Sequence, residues 1–406
     1  MCNQCLKSSL GSSEDFGENE LLKNVKSLPI NILDSFLPLR RQLTSWLLHP
    51  HLSTVGQLLW KSLTESERKC WRLLKRSDAL RALLAFLLIF YVGLPLAFYL
   101  CPWTRRSAVY LNFIDWPFQT LSHPEYYGLN NTRHFFVKTT PGIILGVWHV
   151  PPSSYCHSRS TLSADDLPVV LYLHGSAESR SAPYRRSMYK VLSEGPLQAH
   201  VITFDYRGFG DSTYISPTAQ TLEEDATAMY HWLLKRVSAS RIIVWGHSMG
   251  SGIAVRLGQA LAKDNTNSPF AIVLEAPFTS IADATRTFPL SFFHRRLPLF
   301  EMFCSERTRH PDTNLNSDER VGDITAPILI LHAADDSMVW SEQGKRLWEK
   351  AVEARSPHLH KPVFVELDGR FGCGHRNIHK APNLPSEIMS FMRSVKQHNE
   401  TVRRNR

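Results

Sequence analysis

The stretch Ile242-Ile-Val-Trp-Gly-His-Ser-Met-Gly250 constrains this chain more than any other. A β-branched apolar run ends in Gly-x-Ser-x-Gly. The residues after it, Ser251 to Leu261, place Ile253, Ala254, Leu257 and Ala260 on one helical face. The pattern predicts a strand, a tight turn and a helix. Such a turn holds its serine in a strained backbone conformation, and glycine at Gly246 and Gly250 lets strand and helix pass close together. Ser248 then stands clear of the sheet at a helix N-terminus, where developing negative charge is favoured. Ser248 is the expected nucleophile; the competing reading is a purely structural turn.

From about Tyr110 the chain alternates strands with helices. The predicted strands are Phe135–Thr139, Ile144–Val150, Pro168–Leu173, His200–Phe204, Ile242–Trp245, Phe270–Leu274, Ile328–Leu331 and Val363–Leu367. Several are continuous apolar runs, as expected of strands buried on both faces of a mostly parallel sheet. Thr221–Arg236, Ser341–Ala354 and Ser386–Val395 carry helical patterns. The expected fold class is α/β, an eight-stranded, mostly parallel sheet with helices on both faces. Residues 278–319 interrupt the rhythm with an aromatic segment that includes Phe288, Phe292, Phe293, Phe300 and Phe303. A connection this long is usually functional. It is expected to form a cap over Ser248, with an apolar pocket beneath it; ordinary helices completing the core are the competing reading.

A serine hydroxyl needs a general base, and the base needs an orienting acid. On a sheet of this kind the chain order is Ser, then Asp or Glu, then His. The strand Ile328–Leu331 leads into His332-Ala-Ala-Asp335-Asp336, so the loop offers two aspartates at the strand's C-terminal end, where ligand chemistry gathers. The last strand leads into Gly372-Cys-Gly-His375, with His379 as a competitor. Glycines beside His375 suit a loop that lets the ring reach inward. Backbone N–H groups must meet the oxyanion. Met249, next to the nucleophile, supplies one; Ser176 or Ala177, after the strand ending at Leu173, supplies the other. The Phe204-Asp-Tyr-Arg-Gly-Phe-Gly-Asp-Ser212 stretch reads as a structural turn with Arg207 in a buried pair, and no catalytic role is assigned to it.

Composition bounds the setting. The chain has 406 residues and a formal charge of +9, but the charge is scattered and no nucleic-acid motif accompanies it. Ala82–Cys101 has no charged residue and matches, at 1.5 Å per residue, a hydrocarbon core of about 30 Å. Six basic residues precede it between Arg68 and Arg81, against Arg105 and Arg106 after it, which predicts a cytosolic N-terminus and a lumenal or external domain. The sequons at Asn130 and Asn399 would then be open to glycosylation. The first 20 or so residues read as a disordered tail without a signal-peptide core. The apolar clusters from Leu21 to Ser77 fit either surface helices on a membrane or a loose tail. The 7 cysteines, including the Cys2–Cys5 pair, form neither a zinc spacing nor a disulfide framework. The expected organisation is a cytosolic tail over 1–78, a transmembrane helix over 79–101, a catalytic domain over 110–398 with its cap at 278–319, and a basic tail over 399–406.

These marks together resemble the α/β-hydrolase superfamily. Within it, the chain resembles the membrane-anchored lysophosphatidylserine and monoacylglycerol lipases. The resemblance rests on the span with its Leu94-Pro…Cys101-Pro102 ending, Gly146-Val-Trp-His149, Leu171-Tyr-Leu-His-Gly175, Thr203-Phe-Asp-Tyr-Arg-Gly208, Trp245-Gly-His-Ser-Met-Gly250 and His332-Ala-x-Asp-Asp336. It implies an α/β-hydrolase fold with a cap, in an endoplasmic-reticulum membrane enzyme with a lumenal domain. The implied reaction cleaves the acyl ester of a single-chain lipid, without metal or organic cofactor. The implied partners are that lipid and the membrane; no protein partner is implied. Ser248, Asp336 and His375 match the family's triad positions, and the family pattern places the acid just before x-x-Val, favouring Asp336 over Asp335. Two features depart from the pattern: Glu178 stands where small residues are usual, and the N-terminal region has no match. The alternatives are a protein acyl-thioesterase, which predicts a cytosolic domain, and a non-enzymatic binding protein on the same fold.

Overall fold

The computed structural model describes Glu65 and residues 78–114, 120–154, 162, 165–263 and 267–404. The expected N-terminal tail, the Cys2–Cys5 pair and most of the basic residues before the span lie outside these. The chain divides into two units, Met1–Phe86 and Leu87–Arg406. Of the first, only Glu65 and the start of a helix at Asp78 are described.

Helix α1 (Asp78–Leu88) leads through a π-helical turn, Ile89–Gly93, into α2 (Leu94–Leu100). The stretch Leu80–Leu100, 21 residues, is long and apolar enough to cross a membrane. Pro95 accounts for the turn: it has no N–H for the carbonyl four residues back, and its ring crowds that carbonyl, so the backbone widens just before it. The Leu94 N–H bonds to Ile89 O instead of to Phe90 O, and Phe90 O accepts a hydrogen bond from His294 Nε2 at 2.9 Å. Helix α3 (Pro102–Tyr110) follows and ends at Leu111, in the left-handed region.

The sheet comprises β1 (Arg133–Lys138), β2 (Ile144–Val150), β3 (Val169–Leu173), β4 (His200–Phe204), β5 (Ile242–His247), β6 (Ala271–Glu275), β7 (Ile328–Ala333) and β8 (Val363–Leu367). Their spatial order is β1-β2-β4-β3-β5-β6-β7-β8. β2 runs antiparallel to both its neighbours, and the rest are parallel. Every residue of β3 to β7 is buried. Strand side chains alternate between faces, so one apolar run feeds two cores. Val169, Leu171, Ile242, Val244, Ile272 and Ile328 pack on one face, under α5 (Ala219–Leu234), α6 (Met249–Lys263) and α8 (Ser341–Ala354). Val170, Tyr172, Ile243, Trp245, Val273 and Leu329 pack on the other, under α4 (Pro183–Glu194) and α9 (Leu384–Arg404).

The eight strands lie where the apolar runs predict them, within two residues at each end. The last helix differs more. It continues to Arg404, so residues expected to begin a basic tail at 399 form its final turns instead. No glycine or proline stands after Pro385 to stop it. The segment after β6 holds helix α7 (Ile281–Thr287), followed by short 3₁₀ and π turns to Arg309. There Phe293, Leu299 and Met302 are exposed while Phe300 is buried.

Candidate active site

Ser248 sits between β5 and α6 with φ of +52°, a left-handed conformation that only a tightly supported turn imposes on serine. The support is visible. Its N–H donates to Glu275 O at 2.9 Å, and its carbonyl accepts from Ser251 Oγ at 2.6 Å. A Cβ at Gly246 would overlap the Gly250 carbonyl, and one at Gly250 would overlap the carbonyls of Leu173 and His174. Strand and helix therefore cross closer than any side chain permits.

The loop after β8 brings His375 over this turn. Its Nε2 lies 2.8 Å from Ser248 Oγ, and its Nδ1 lies 2.7 Å from Asp336 Oδ2. Of the two aspartates after β7, Asp335 is exposed and Asp336 is buried. Asp336 Oδ1 accepts from the N–H groups of Met338 and Val339, both at 2.9 Å. Burial acts to raise this carboxyl, but the hydrogen bonds from His332 and His375 outweigh it and hold it well below the usual carboxylate range. Asp336 therefore stays charged opposite the imidazole. His379, on the turn Ile378–Lys380, is not among the residues that line the cavity at Ser248.

Of the two backbone donors expected after β3, one is already spent. The Ala177 N–H donates to Tyr110 O at 2.9 Å, because Ala177 and Glu178 both adopt positive φ (57° and 50°) and turn that amide toward α3. The Ala177 N–H, expected as a candidate donor, is therefore not free to meet an oxyanion. Ser176 and Met249 both line the cavity, and no acceptor among the described residues takes the N–H of Ser176.

Three buried side chains that sequence reasoning passed over hold this geometry. Arg185, on α4, has no exposed surface. Its guanidinium donates to five consecutive carbonyls, those of Gly175, Ser176, Ala177, Glu178 and Ser179, at 2.6 to 3.2 Å. That clasp fixes the loop carrying the Ser176 N–H. His247, the residue before the nucleophile, donates from Nε2 to His375 O at 3.0 Å; burial and the neighbouring His375 push its ring down to about 3, so it is neutral. His332 Nε2–H is shared between Val339 O at 2.9 Å and Asp336 Oδ2 at 3.3 Å. Each is visible as a residue in the sequence, but only the fold reveals what it touches. The Phe204–Ser212 turn is structural as expected, with Arg207 held to Asp225 at 2.6 Å.

Ser248 and His375 open into a cavity of about 390 Å³. Its walls are apolar: Leu94, Pro95 and Phe98 from α2, Val109 from α3, Phe278 and Ile281 around α7, Phe300 from the cap segment. A second cavity of about 210 Å³ shares Pro95, His294 and Phe300 with it and lies against Tyr91 and Leu96. Asn130 is exposed on the turn before β1, and Asn399 is exposed on α9.

Comparison with known proteins places this geometry. A family model described as alpha/beta hydrolase fold matches residues 168–293. The chain is 37% identical over 328 residues to the lysophosphatidylserine lipase ABHD12 of Danio rerio, covering 79% of this chain and 85% of that protein. It is 34% identical over 322 residues to the protein of that name in Rattus norvegicus, covering 77% and 80%. It is 36% identical over 295 residues to Protein ABHD12B of Homo sapiens, covering 70% and 79%. An alpha-beta hydrolase from Vibrio vulnificus superposes with a TM-score of 0.52 at 20% identity, covering 74% of this chain and 92% of that one, a likeness of fold alone. With its fold and most of its length shared with these relatives, the chain belongs to the ABHD12 family of α/β-hydrolases.

Proposed function

We propose that this protein is a serine hydrolase that cleaves the acyl ester of lysophospholipids at a membrane surface. The observation that carries this reading is the Ser248–His375–Asp336 hydrogen-bond chain opening into an apolar cavity walled in part by the membrane-length helix. The names of the family's lysophosphatidylserine lipases support the substrate class.

In this reading His375 Nε2 takes the Ser248 hydroxyl proton as Oγ attacks the ester carbonyl. The N–H groups of Ser176 and Met249 receive the oxyanion, with the N-terminus of α6 behind them. Asp336 stabilises the imidazolium. His375 then protonates the departing glycerol oxygen, leaving the acyl group on Ser248. Water, deprotonated by the same imidazole, releases the fatty acid. The acyl chain lies in the apolar cavity, and the cavity's α2 wall offers a path from the bilayer. The protein anchors through Leu80–Leu100, its N-terminus cytosolic and its hydrolase domain in the endoplasmic-reticulum lumen, where the exposed Asn130 and Asn399 meet the glycosylation machinery.

The test is turnover by the full-length membrane protein and its Ser248→Ala variant. Substrates are lysophosphatidylserine, other lysophospholipids, a monoacylglycerol and an acyl-thioester peptide. Fatty-acid release from lysophospholipids that depends on Ser248 is the expected result; release from the thioester alone would overturn it. An endoglycosidase-sensitive mass shift, lost in Asn130→Gln/Asn399→Gln, checks the lumenal placement; an unglycosylated chain would argue for the opposite orientation.

A further inference from the structure

The cavity at Ser248 is lined mainly by apolar side chains, with a charged one at the catalytic end. Among its described lining residues, Arg376 is the only Lys, Arg, Asp or Glu. It directly follows His375 in the chain. Its side chain is 45% exposed and faces Glu178, 21% exposed, with Nη1 3.7 Å from Oε2.

That spacing is informative. A closed guanidinium–carboxylate bond measures about 2.7–2.9 Å. Here the two charges attract across a gap that holds no hydrogen bond. Glu178 Oε2 is shielded from solvent, yet has no hydrogen-bond partner among the described residues. The carboxylate is not held loosely either. Glu178 has φ of +50°, follows Ala177 at +57°, and has its own carbonyl clamped by Arg185 at 3.0 Å. Non-glycine residues in this region carry a conformational cost that persists where the surroundings enforce it, typically at functional sites. On the other side, the Arg376 guanidinium lies 5.4 Å from the centroid of the Tyr184 ring, while Arg185 lies 5.2 Å from it. Both members of the open pair are thus braced by the same buried arginine, one through the loop and one through the ring.

The reaction assigns this pair a direction. His375 protonates the leaving glycerol oxygen, so the leaving group occupies the His375 side of Ser248 while the acyl chain occupies the apolar side. Arg376, one residue on and lining the same cavity, is in place for the anion carried by that glycerol. We propose that Glu178 and Arg376 form a headgroup subsite for phosphodiesters bearing a primary amine, with Arg376 binding the phosphate and Glu178 the ammonium. Arg376 alone would accept any anionic headgroup. Glu178 beside it disfavours a bare, doubly charged phosphate and rewards a headgroup that brings its own cation. The inference rests on the lysophospholipid reading above and goes further, naming the residues that select the headgroup.

The test compares kcat/KM of the full-length protein on lysophosphatidylserine, lysophosphatidylethanolamine, lysophosphatidic acid and p-nitrophenyl butyrate, an ester with no headgroup. Arg376→Met should lower the ratio of every phosphate lipid to the butyrate ester by roughly tenfold or more, the scale of one charge-assisted contact, and Arg376→Lys should restore part of it. Glu178→Gln should lower the ratio for the two aminated lipids only and raise it for lysophosphatidic acid. Parallel changes on all four substrates would overturn the subsite and leave the pair as a support for the His375 loop. If the unaltered protein cleaves the butyrate ester but no lysophospholipid, the substrate reading fails separately. The subsite is then decided by competition: glycerophosphoserine should inhibit butyrate hydrolysis by the unaltered protein and not by Arg376→Met, and absence of inhibition would overturn it.

Discussion

Two histidine–aspartate chains among the described residues make an instructive pair, with opposite surroundings. At the C-terminal ends of the strands, His375 bridges Asp336 and Ser248 at 2.7 and 2.8 Å. At the other end of the sheet, His200 bridges Asp165 and His149, both at 2.9 Å. The bond lengths hardly differ. The surroundings do. His200 begins β4 and His149 nears the end of β2, so both rings are locked into paired strands with Arg241 closing the cluster on Asp165 at 2.8 Å. Among the described residues, that chain runs from Asp165 through His200 to a second imidazole and not to a hydroxyl, and neither ring lines the cavity. At the other end, the imidazole meets a serine on a strained turn, beside backbone N–H groups and an apolar cavity. A polarised imidazole is thus common chemistry; what makes one reactive is the hydroxyl, the oxyanion donors and the space around it.

The sharpest way to break the comparison is at the two carboxylates. Asp336→Asn should cost about four decades of kcat, the loss expected when the base is held in the wrong tautomer. Asp165→Asn should leave kcat within about twofold, since distant surface-side changes rarely reach the chemistry. Steady-state kinetics on one lipid substrate decides both, and equal losses would erase the distinction. Next in size is the clasp behind the oxyanion loop. Arg185→Lys keeps the charge but not the planar fork that reaches five carbonyls. It should lower kcat about a hundredfold, in the range of one lost oxyanion donor, with KM little changed. A change confined to KM would remove Arg185 from this role.

The smallest effect is one of stability and pH. Burial, then the neighbouring His200, pushes the His149 ring down to about 3 from an ordinary 6.5. As pH falls through 6.5 the unfolded chain takes up this proton and the folded chain does not. The folded state therefore loses stability progressively between about 6.5 and 3, and loses none from this group above that window. His149→Gln should flatten the acid limb of Tm against pH by a few degrees while leaving activity at neutral pH intact. A Tm profile parallel to that of the unaltered protein would show that the ring is solvated, not buried.

Some parts of the molecule were legible in the chain. The strands were, because a β-branched run such as Ile328-Leu-Ile-Leu331 has one good solution, burial on both faces. The elbow was legible too, since Gly246 and Gly250 flank Ser248 at the only spacing that lets strand and helix touch. The helix end at Arg404 was not: the polar residues after Val395 carry no stop signal, so a tail and a helix look alike. The proposed oxyanion donor was half legible. Ser176 and Ala177 are equivalent in sequence, and only the left-handed turn at Ala177, which hands its N–H to Tyr110, separates them.

The sequence by itself determined what is local or periodic: the apolar alternation that builds the sheet, the glycines of the elbow, the uncharged length of Leu80–Leu100, and the order of Ser, Asp and His. Tertiary structure decided what depends on distance between residues far apart in the chain. It brought His375 to Ser248 across 127 positions and to Asp336 across 39. It set Arg185 under the loop after β3 as a donor to five of its carbonyls, gave the cavity a wall from the membrane-length helix, and left Arg376, at the cavity's catalytic end, facing Glu178. The physical reason is that periodicity encodes which face is buried, while hydrogen bonds and charge pairs are settled only when packing fixes the geometry between elements.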